Sequence, residues 1–445
     1  MKSVLVLGAG RSSSALIDYL VRNAPREGWQ ILVGDISLTS AEERVVGSDA
    51  TAVQFNIEDK GAAEVIQQTD LVISLLPPHL HIQVARICLQ LNKHLLTASY
   101  VSNEMRGLHE EAKQKNLLFL NECGLDPGID HMSAMQVIDR IRRSGGELFS
   151  FESFTGGLIA PDTDPENPWR YKFTWNPRNV VMAGLGTARY LQNGEFKYIP
   201  HQQLFKRTTP VIVPGYGDFE GYANRDSLTY REAYGLQKIK TMLRGTLRNK
   251  GFCAAWNIFV QLGCTDDSYT MADVVHLTHH DFINSFLAYH PDRTVEEKIA
   301  QAFNLKLEGR EIQCLNWSGM FDNDKVGLSS GTPAQILEHI LSKRWTLHST
   351  DRDMVVMWHR FRYYQNGMEN DLQSSLVVLG KDSVETAMAK TVGLPLGIAA
   401  KLLLQGKIKA RGVVIPVNAE FYEPIMNELK TLGIDLIEKY VPLDQ

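Results

Sequence analysis

The sequence predicts an α/β protein whose first part is a doubly wound parallel sheet. Short apolar runs alternate there with segments of helical spacing, as in the βαβ units that build parallel sheets. A glycine turn directly follows the first run, and an aspartate follows the second. Together these features are typical of a Rossmann-like domain, which binds a dinucleotide at the carboxyl ends of its strands.

Six apolar runs are predicted to be the strands of this sheet. They are rich in leucine, isoleucine and valine, as strands covered on both faces usually are. In chain order they are residues 3–7, 30–34, 52–55, 71–76, 94–98 and 117–120.

The glycine turn is Gly8-Ala9-Gly10-Arg11-Ser12-Ser13, placed between the first strand and a helix pattern. This is the context that a dinucleotide-binding turn requires. Gly8 allows the tight turn, and Gly10 lets the backbone approach a pyrophosphate that the helix N-terminus attracts. Ser13 replaces the third glycine of the usual motif and is small enough for close packing.

Asp35 follows the second strand, about twenty residues beyond the glycine turn, where an acidic side chain holds the ribose hydroxyls of NAD. No lysine or arginine stands between Asp35 and Arg44 to receive a 2′-phosphate. The alternative is that Asp35 only caps the loop. We expect NAD to be preferred, with NADP as the second candidate.

The stretch from Gly124 to Met132 follows the sixth strand and precedes a helix that we expect to begin at Met132. Gly124 and Gly128 permit backbone angles that other residues resist, and Pro127 cannot donate to a sheet. Ligands of open α/β sheets bind at this edge, so the stretch predicts a place where substrate meets cofactor. The alternative is an ordinary strand-to-helix turn.

The composition excludes several classes of protein. The chain has 445 residues, of which 44% are hydrophobic and 22% are charged. Its net charge of -5 gives no excess of positive charge with which to bind nucleic acid or an acidic membrane. It has no run of 18 apolar residues and no signal-peptide layout, so we expect no membrane span. Its five cysteines are odd in number and far apart, which suits reduced thiols in a cytoplasm.

The pattern changes after residue 150. Residues 150–155, 206–213, 354–361 and 376–379 are predicted strands of a second, mixed sheet. Residues 232–342 have helical spacing, including the set Leu236, Ile239, Met242 and Leu243. Residues 387–404 are helical in pattern, and Gly393-Leu394-Pro395 is expected to break them.

Seven motifs are spread along nearly the whole chain in a fixed order. They are Ser74-Leu75-Leu76-Pro77, Thr97-Ala98-Ser99-Tyr100-Val101, the stretch 124–132, Tyr171-Lys172-Phe173-Thr174-Trp175-Asn176-Pro177, Asn224-Arg225-Asp226-Ser227, Arg244-Gly245-Thr246-Leu247-Arg248 and Ala387-Met388-Ala389-Lys390-Thr391-Val392-Gly393-Leu394-Pro395. With them the chain resembles the glutamate-forming saccharopine dehydrogenases, also called saccharopine reductases. It is most similar to the dehydrogenase half of the bifunctional lysine-degrading enzymes of plants and animals. Two positions depart from the family pattern: Thr155, where the family often has cysteine, and Asn249, where it has an aromatic residue.

The resemblance implies an NAD(P)-dependent oxidoreductase of lysine metabolism. It would oxidise saccharopine to L-glutamate and 2-aminoadipate 6-semialdehyde, or run the reverse reaction, as a cytoplasmic homodimer without nucleic-acid or membrane partners. The residues expected at the cofactor are Gly8, Gly10, Arg11, Ser12, Ser13, Asp35, Leu75, Leu76, Pro77, Ala98, Ser99, Gly124, Leu125, Asp126 and Gly128. Those expected at the substrate are Ser99, Tyr100, Asp126, Arg225, Thr246, Leu247 and Arg248. Asp126 and Tyr100 are the candidates for polarisation or proton transfer.

The resemblance also implies three domains. Residues 1–130 and 384–445 would form the dinucleotide-binding domain. Residues 131–231 and 343–383 would form an α/β domain for substrate binding and dimerisation, and residues 232–342 a mostly helical insertion.

Arginine suits the three carboxylates of saccharopine, because its guanidinium binds a carboxylate through two hydrogen bonds. Arg244 and Arg248 would share one face of a helix if their segment is helical. The alternative for any single arginine, Arg225 included, is a solvated surface charge.

Other functions remain as alternatives. A related imine-reducing dehydrogenase of carboxy-polyamine metabolism would favour acidic residues at positions 225 and 248, and a non-catalytic NAD-binding redox module would not need arginines there. A metal site at His276, His279 and His280 lacks a supporting cysteine or second pair, so we expect no metal. His131 is either a general base or a structural residue.

Overall fold

The structure is a computed structural model that describes residues 1–442. The chain forms two compact units. The first unit comprises Met1–Glu147 and Leu376–Ile437, and the second unit comprises Leu148–Ser375 and the residues from Glu438 on.

The strands and helices are defined here in chain order. The strands are β1 (Lys2–Leu7), β2 (Trp29–Asp35), β3 (Thr51–Gln54), β4 (Leu71–Ser74), β5 (His94–Thr97), β6 (Leu118–Leu120), β7 (Glu147–Ile159), β8 (Ala188–Gln192), β9 (Glu195–Ile199), β10 (Thr208–Val213), β11 (Gly217–Ala223), β12 (Thr241–Asn249), β13 (Asp353–Gln365), β14 (Met368–Leu379), β15 (Gly412–Val414) and β16 (Ile437–Tyr440). The helices are α1 (Ser14–Glu27), α2 (Leu38–Val45), α3 (Ala62–Gln67), α4 (His81–Gln90), α5 (Asn103–Gly107), α6 (His109–Gln114), α7 (Ile129–Arg143), α8 (Pro177–Val181), α9 (His201–Leu204), α10 (Phe252–Leu262), α11 (His279–Asn284), α12 (Val295–Phe303), α13 (Arg310–Trp317), α14 (Pro333–Trp345), α15 (Ala387–Leu404) and α16 (Ala419–Thr431).

The first unit contains a parallel sheet with the strand order β3-β2-β1-β4-β5-β6-β15. The order from β3 to β6 is that of a doubly wound dinucleotide-binding fold. All six predicted strands are confirmed. The helix after the sixth strand, α7, begins at Ile129, three residues before the predicted start. This helix belongs to the first unit, which extends to Glu147, whereas the first segment of the dinucleotide-binding domain was predicted to end at residue 130.

The core of the first unit lies on the faces of this sheet. Leu5, Val72, Leu95 and Phe119 come from neighbouring strands and are buried in one cluster with Cys88 of α4. All five cysteines of the chain are free and buried. Apolar side chains from adjacent parallel strands thus form a continuous layer, which fixes the strand ends at one edge.

The second unit contains a mixed sheet with the order β10-β11-β12-β7-β13-β14-β16, and β8 also pairs with β12. Strand β12 runs antiparallel to β11 and parallel to β7. The four predicted strands after residue 150 correspond to β7, β10, β13 and the end of β14.

The predicted helix around Met242 and Leu243 is wrong, because these residues lie in β12. The helices of this region begin later and run from α10 to α14. Gly245 explains why a strand fits here: a Cβ at this position would lie 2.3 Å from the carbonyl oxygen of Tyr222 on the neighbouring strand. The glycine therefore serves close packing within a sheet, which the spacing of the apolar residues did not indicate.

The predicted break at Gly393-Leu394-Pro395 is also wrong, because α15 continues through it. A Cβ on Gly393 would lie 2.8 Å from the backbone nitrogen of Leu16, and a Cβ on Gly397 would lie 2.6 Å from the ring of Tyr19. Both glycines let α15 approach α1 closely. Within residues 1–442, α15 is the one helix long and apolar enough to cross a membrane, but it is largely buried against its own unit, as core helices are.

Candidate functional site

The residues predicted to bind the cofactor lie at the carboxyl edge of the first unit's sheet. Gly8 follows β1, Asp35 ends β2, and Leu75 follows β4. Ala98 follows β5, and Gly124 comes after β6. The structure thus brings these residues to neighbouring strand ends, where a doubly wound sheet binds its ligand.

The glycine turn combines a positive backbone angle at Gly8 with open space at Gly10. Gly8 has a φ of +102°, and a Cβ there would lie 3.2 Å from the carbonyl oxygen of Leu75, so the position favours glycine. A Cβ on Gly10 would meet nothing within 4 Å, which leaves open space beside the backbone. The buried Ser13 hydroxyl donates to the carbonyl oxygen of Gly10 at 2.8 Å and so ties the turn to the start of α1.

The carboxylate of Asp35 is fixed beside this turn. Its Oδ2 accepts a hydrogen bond from the backbone N–H of Ala9 at 2.7 Å, and its Oδ1 accepts one from Ser37 at 2.9 Å. Arg44, the first basic residue after Asp35 in the sequence, lies on α2 and contacts this turn. Its Nε and Nη2 donate to the carbonyl oxygens of Ala9 and Gly10 at 3.2 and 3.3 Å.

Tyr100 and Asp126 form a direct pair, although they follow different strands. The Tyr100 hydroxyl donates to Oδ1 of Asp126 at 3.2 Å. Tyr100 is 37% exposed, so the pair lies at the surface of the first unit. A carboxylate that accepts from a phenol can also exchange a proton with a ligand, which is the chemistry predicted for these two residues.

A buried network that the sequence did not reveal supports this pair. Glu122 accepts from the backbone N–H of Val101 at 3.0 Å through Oε1 and from Nε2–H of His131 at 2.8 Å through Oε2. Asp130 accepts from the N–H of Gly128 at 2.6 Å. Because His131 is completely buried between two carboxylates, the structure favours its structural role over a general base.

A second buried histidine, His81, was also missed. It contacts Ser74 Oγ at 2.9 Å through Nδ1 and Ser99 Oγ at 2.7 Å through Nε2. Burial, with the nearby His79 as a second cause, lowers the pKa of His81 to about 4. The imidazole is therefore neutral at ordinary pH. The polar residues at the ends of the fourth and fifth strands, Ser74 and Ser99, are a signal in the sequence that could have revealed it.

In the second unit, Arg225 is exposed on the loop after β11, with a φ of +50°. Its carbonyl oxygen accepts from the backbone N–H of Arg189 at 2.8 Å. The Arg189 guanidinium donates to both carboxylate oxygens of Asp226, at 3.1 and 2.5 Å. These contacts hold the backbone of the loop at Arg225 and at Asp226, the residue after it.

Arg248 lies on β12 among aromatic rings and is 4% exposed. Its guanidinium carbon lies 4.9 Å from the ring centre of Tyr171 and 5.3 Å from that of Phe252. Within residues 1–442 it makes no ion pair, and its Nε has no hydrogen-bond partner. A buried cation without an anion is costly, so the arrangement suits an anionic ligand.

Other polar groups on this face also lack partners within the part of the chain that the structure describes. They are the hydroxyls of Thr155 and Tyr171. Thr246 pairs in register with Thr155 on one side and with Tyr222 on the other. Burial raises the pKa of Tyr171 to about 12, which keeps its phenol a donor. Leu247 is fully buried, and its carbonyl oxygen accepts a hydrogen bond from Nη1 of Arg248 at 2.9 Å.

Arg244 and Arg248 do share a face, but it is that of a strand, because residues four apart point the same way in β-structure as well. His276 and His280 do not share a helix, since His280 lies in α11 and His276 precedes it. His279 contacts the carbonyl oxygen of Gly319 and the amine of Lys343. No group of three metal-binding side chains occurs in residues 1–442.

Comparison with known proteins gives a consistent result. The family model of the saccharopine dehydrogenase NADP binding domain matches residues 4–120, and that of the saccharopine dehydrogenase C-terminal domain matches residues 124–434. The chain is 34% identical to the mitochondrial alpha-aminoadipic semialdehyde synthase of Bos taurus, over 97% of this chain and 47% of that protein. It thus spans about half the length of that relative. It is 33% identical to the saccharopine dehydrogenase (NADP(+), L-glutamate-forming) of Saccharomyces cerevisiae, over 99% of both chains.

Two solved structures are similar to this chain over nearly its whole length. The apo saccharopine dehydrogenase (L-Glu forming) from Saccharomyces cerevisiae superimposes with a TM-score of 0.89 at 31% identity, covering 99% of this chain and 100% of that one. A homospermidine synthase from Legionella pneumophila has a TM-score of 0.57 at 10% identity, covering 99% of this chain and 91% of that one, a likeness of fold alone.

Proposed function

The chain belongs to the saccharopine dehydrogenase family, and on that premise we propose that it oxidises saccharopine to L-glutamate and 2-aminoadipate 6-semialdehyde, or runs the reverse reaction, in lysine metabolism. The observation that carries the proposal is Arg248, a buried cation with no ion pair in residues 1–442 and with no hydrogen-bond partner for its Nε. A substrate with three carboxylates supplies the missing anion.

The proposed roles follow from the chemistry of the reaction. A nicotinamide cofactor, when bound, would supply the hydride acceptor. The hydride leaves the lysine-side carbon next to the secondary amine, water adds to the resulting imine, and its collapse gives the aldehyde and glutamate. Asp126 takes the proton that the amine loses, while Tyr100 orients the carboxylate through its 3.2 Å hydrogen bond. Arg225, Thr246 and Arg248 bind carboxylates.

The test is a steady-state assay with saccharopine as the sole substrate. We expect the reduced cofactor, glutamate and the semialdehyde to form in equal amounts. A chain that binds NADH but produces no glutamate from saccharopine would contradict the proposed substrate.

Asp126→Asn tests the proton-transfer role. The amide keeps the shape of the carboxylate but cannot take a proton, so we expect kcat to fall about 100-fold to 1000-fold with little change in the dissociation constant of NADH. Tyr100→Phe leaves the carboxylate of Asp126 in place, so its kcat should fall less than that of Asp126→Asn. An Asp126→Asn variant with the wild-type rate and pH profile would remove this residue from the mechanism.

We propose NAD as the preferred cofactor. The support is Asp35, whose carboxylate the Ala9 and Ser37 N–H groups fix at the end of β2. A 2′-phosphate beside it would place like charges in contact. The names of the fungal relatives specify NADP(+), and Arg44 is the nearby cation that a 2′-phosphate could use.

The measurement is kcat/KM with NAD and NADP in wild type, Asp35→Ala and Arg44→Ala. We expect the wild type to prefer NAD, and Asp35→Ala to narrow the preference by weakening NAD and relieving the repulsion of NADP. Arg44→Ala should lower the use of NADP more than that of NAD. Equal or better use of NADP by the wild type would show that Asp35 points away from the ribose.

Three further expectations stay predictions. They are a homodimer, a cytoplasmic location and the three-domain division at residues 130, 231, 342 and 383. Light scattering of the purified protein tests the first.

A further inference from the structure

The imidazole of His81 connects the carboxyl ends of two neighbouring strands in the first unit. Ser74 ends β4 and lies in register with Thr97, the last residue of β5. His81 contacts Ser74 Oγ at 2.9 Å, Ser99 Oγ at 2.7 Å and Thr97 Oγ1 at 3.3 Å. Ser74, His81 and Ser99 thus form one continuous hydrogen-bonded chain.

This chain opens to the outside only at Ser99. Ser74 is fully buried, His81 is 4% exposed, and Ser99 is half-buried. Because its inner end is a buried serine, the chain is built to orient a hydroxyl group rather than to carry a proton to solvent.

The low pKa of His81 keeps the ring neutral, with one N–H and one lone pair. Nε2 therefore occupies one hydrogen-bonding position of the Ser99 hydroxyl in a fixed direction. The remaining positions of that hydroxyl face away from His81. The backbone around it is also held, since the carbonyl oxygen of Ser99 accepts from the N–H of Glu122 at 3.1 Å.

The strand order locates this hydroxyl along a bound dinucleotide. In the order 3-2-1-4-5-6 the pyrophosphate lies at β1 and the adenosine ribose at β2, so the nicotinamide lies on the side of β4 and β5. We propose that His81 is a positioning residue that holds the Ser99 hydroxyl toward the nicotinamide end of the cofactor. The inference rests on the proposed dinucleotide site but not on saccharopine as substrate.

The test compares the binding of NADH with that of ADP-ribose, which lacks the nicotinamide. His81→Asn keeps a polar group near the Nδ1 position and loses the contact with Ser99, whereas the amide of His81→Gln reaches about as far as Nε2. We expect His81→Asn to raise the dissociation constant of NADH about fivefold and that of ADP-ribose by less than twofold. His81→Gln should recover most of the NADH affinity.

A double variant separates orientation from general packing. If His81 acts through Ser99, His81→Asn combined with Ser99→Ala should bind NADH no more weakly than Ser99→Ala alone. Multiplied losses, equal losses with ADP-ribose, or equal effects of asparagine and glutamine would overturn the proposal. A wild type that binds NADH but does not oxidise saccharopine would contradict the proposed substrate and leave this test intact.

Discussion

Gly128→Ala is expected to remove most activity and to destabilise the first unit. Gly128 has a φ of +149°, and a Cβ there would lie 2.1 Å from the carbonyl oxygen of Gly124. Backbone atoms cannot yield as a flexible side chain does, so the stretch that carries Asp126 must open. We expect a loss of about 4 kcal/mol in unfolding free energy, which lowers the melting temperature by about 10 °C.

Gly47→Ala is the matched control. Gly47 also has a positive φ, +74°, in the first unit, but a Cβ there would meet nothing within 4 Å. This substitution should lower the unfolding free energy only by the strain of alanine in a left-handed conformation, about 1–2 kcal/mol, and leave kcat unchanged. The measurements are the thermal unfolding and the saccharopine turnover of Gly128→Ala and Gly47→Ala. Equal stability losses in the two would mean that the contact between Gly128 and Gly124 is unimportant.

Arg225→Ala should lower kcat/KM for saccharopine while NADH binding stays the same. Losing a charge-assisted pair to a carboxylate costs about 2–5 kcal/mol if the other charge is left unpaired, which is roughly 30-fold to several thousandfold in kcat/KM. Arg225→Lys should recover part of the lost kcat/KM, because an ammonium keeps the charge but cannot form the bidentate hydrogen bonds of a guanidinium.

Arg170→Ala is the control for removing an exposed arginine side chain from a residue with the same backbone angle. Arg170 is also an exposed arginine of the second unit with a φ of +50°. Its replacement should leave kcat/KM within about twofold of wild type, as surface substitutions usually do. If Arg225→Ala behaves like Arg170→Ala, the Arg225 side chain is a solvated charge and not a substrate ligand.

The features that the sequence predicted correctly depend on local patterns. The six parallel strands are apolar runs that end in turn residues, and the glycine turn needs only the spacing of Gly8 and Gly10 to be recognised. The same is true of Asp35, whose place at the end of β2 follows from its position in the chain. These signals lie within a few residues of the structure they specify.

The features that were missed depend on partners distant in the chain. Strand β12 was read as a helix because its apolar spacing is ambiguous, and only its pairing with β7 and β11 decides the outcome. The role of Glu122 becomes visible only when the segments carrying Val101 and His131 lie beside it. Gly393 looked like a helix breaker because the helix it packs against, α1, lies at the other end of the chain.

The division of the first unit into two segments has a consequence for synthesis on the ribosome. Every strand end expected to hold the cofactor is made before Glu147, but β15, which pairs with β6, is made only after the whole of Leu148–Ser375. Until then the edge of β6 has no partner strand, and the α1 surface around Leu16 and Tyr19 lacks the cover of α15. A nascent or truncated chain that stops before α15 therefore carries every residue expected at the cofactor on an unfinished scaffold, with an open sheet edge of the kind that recruits other chains.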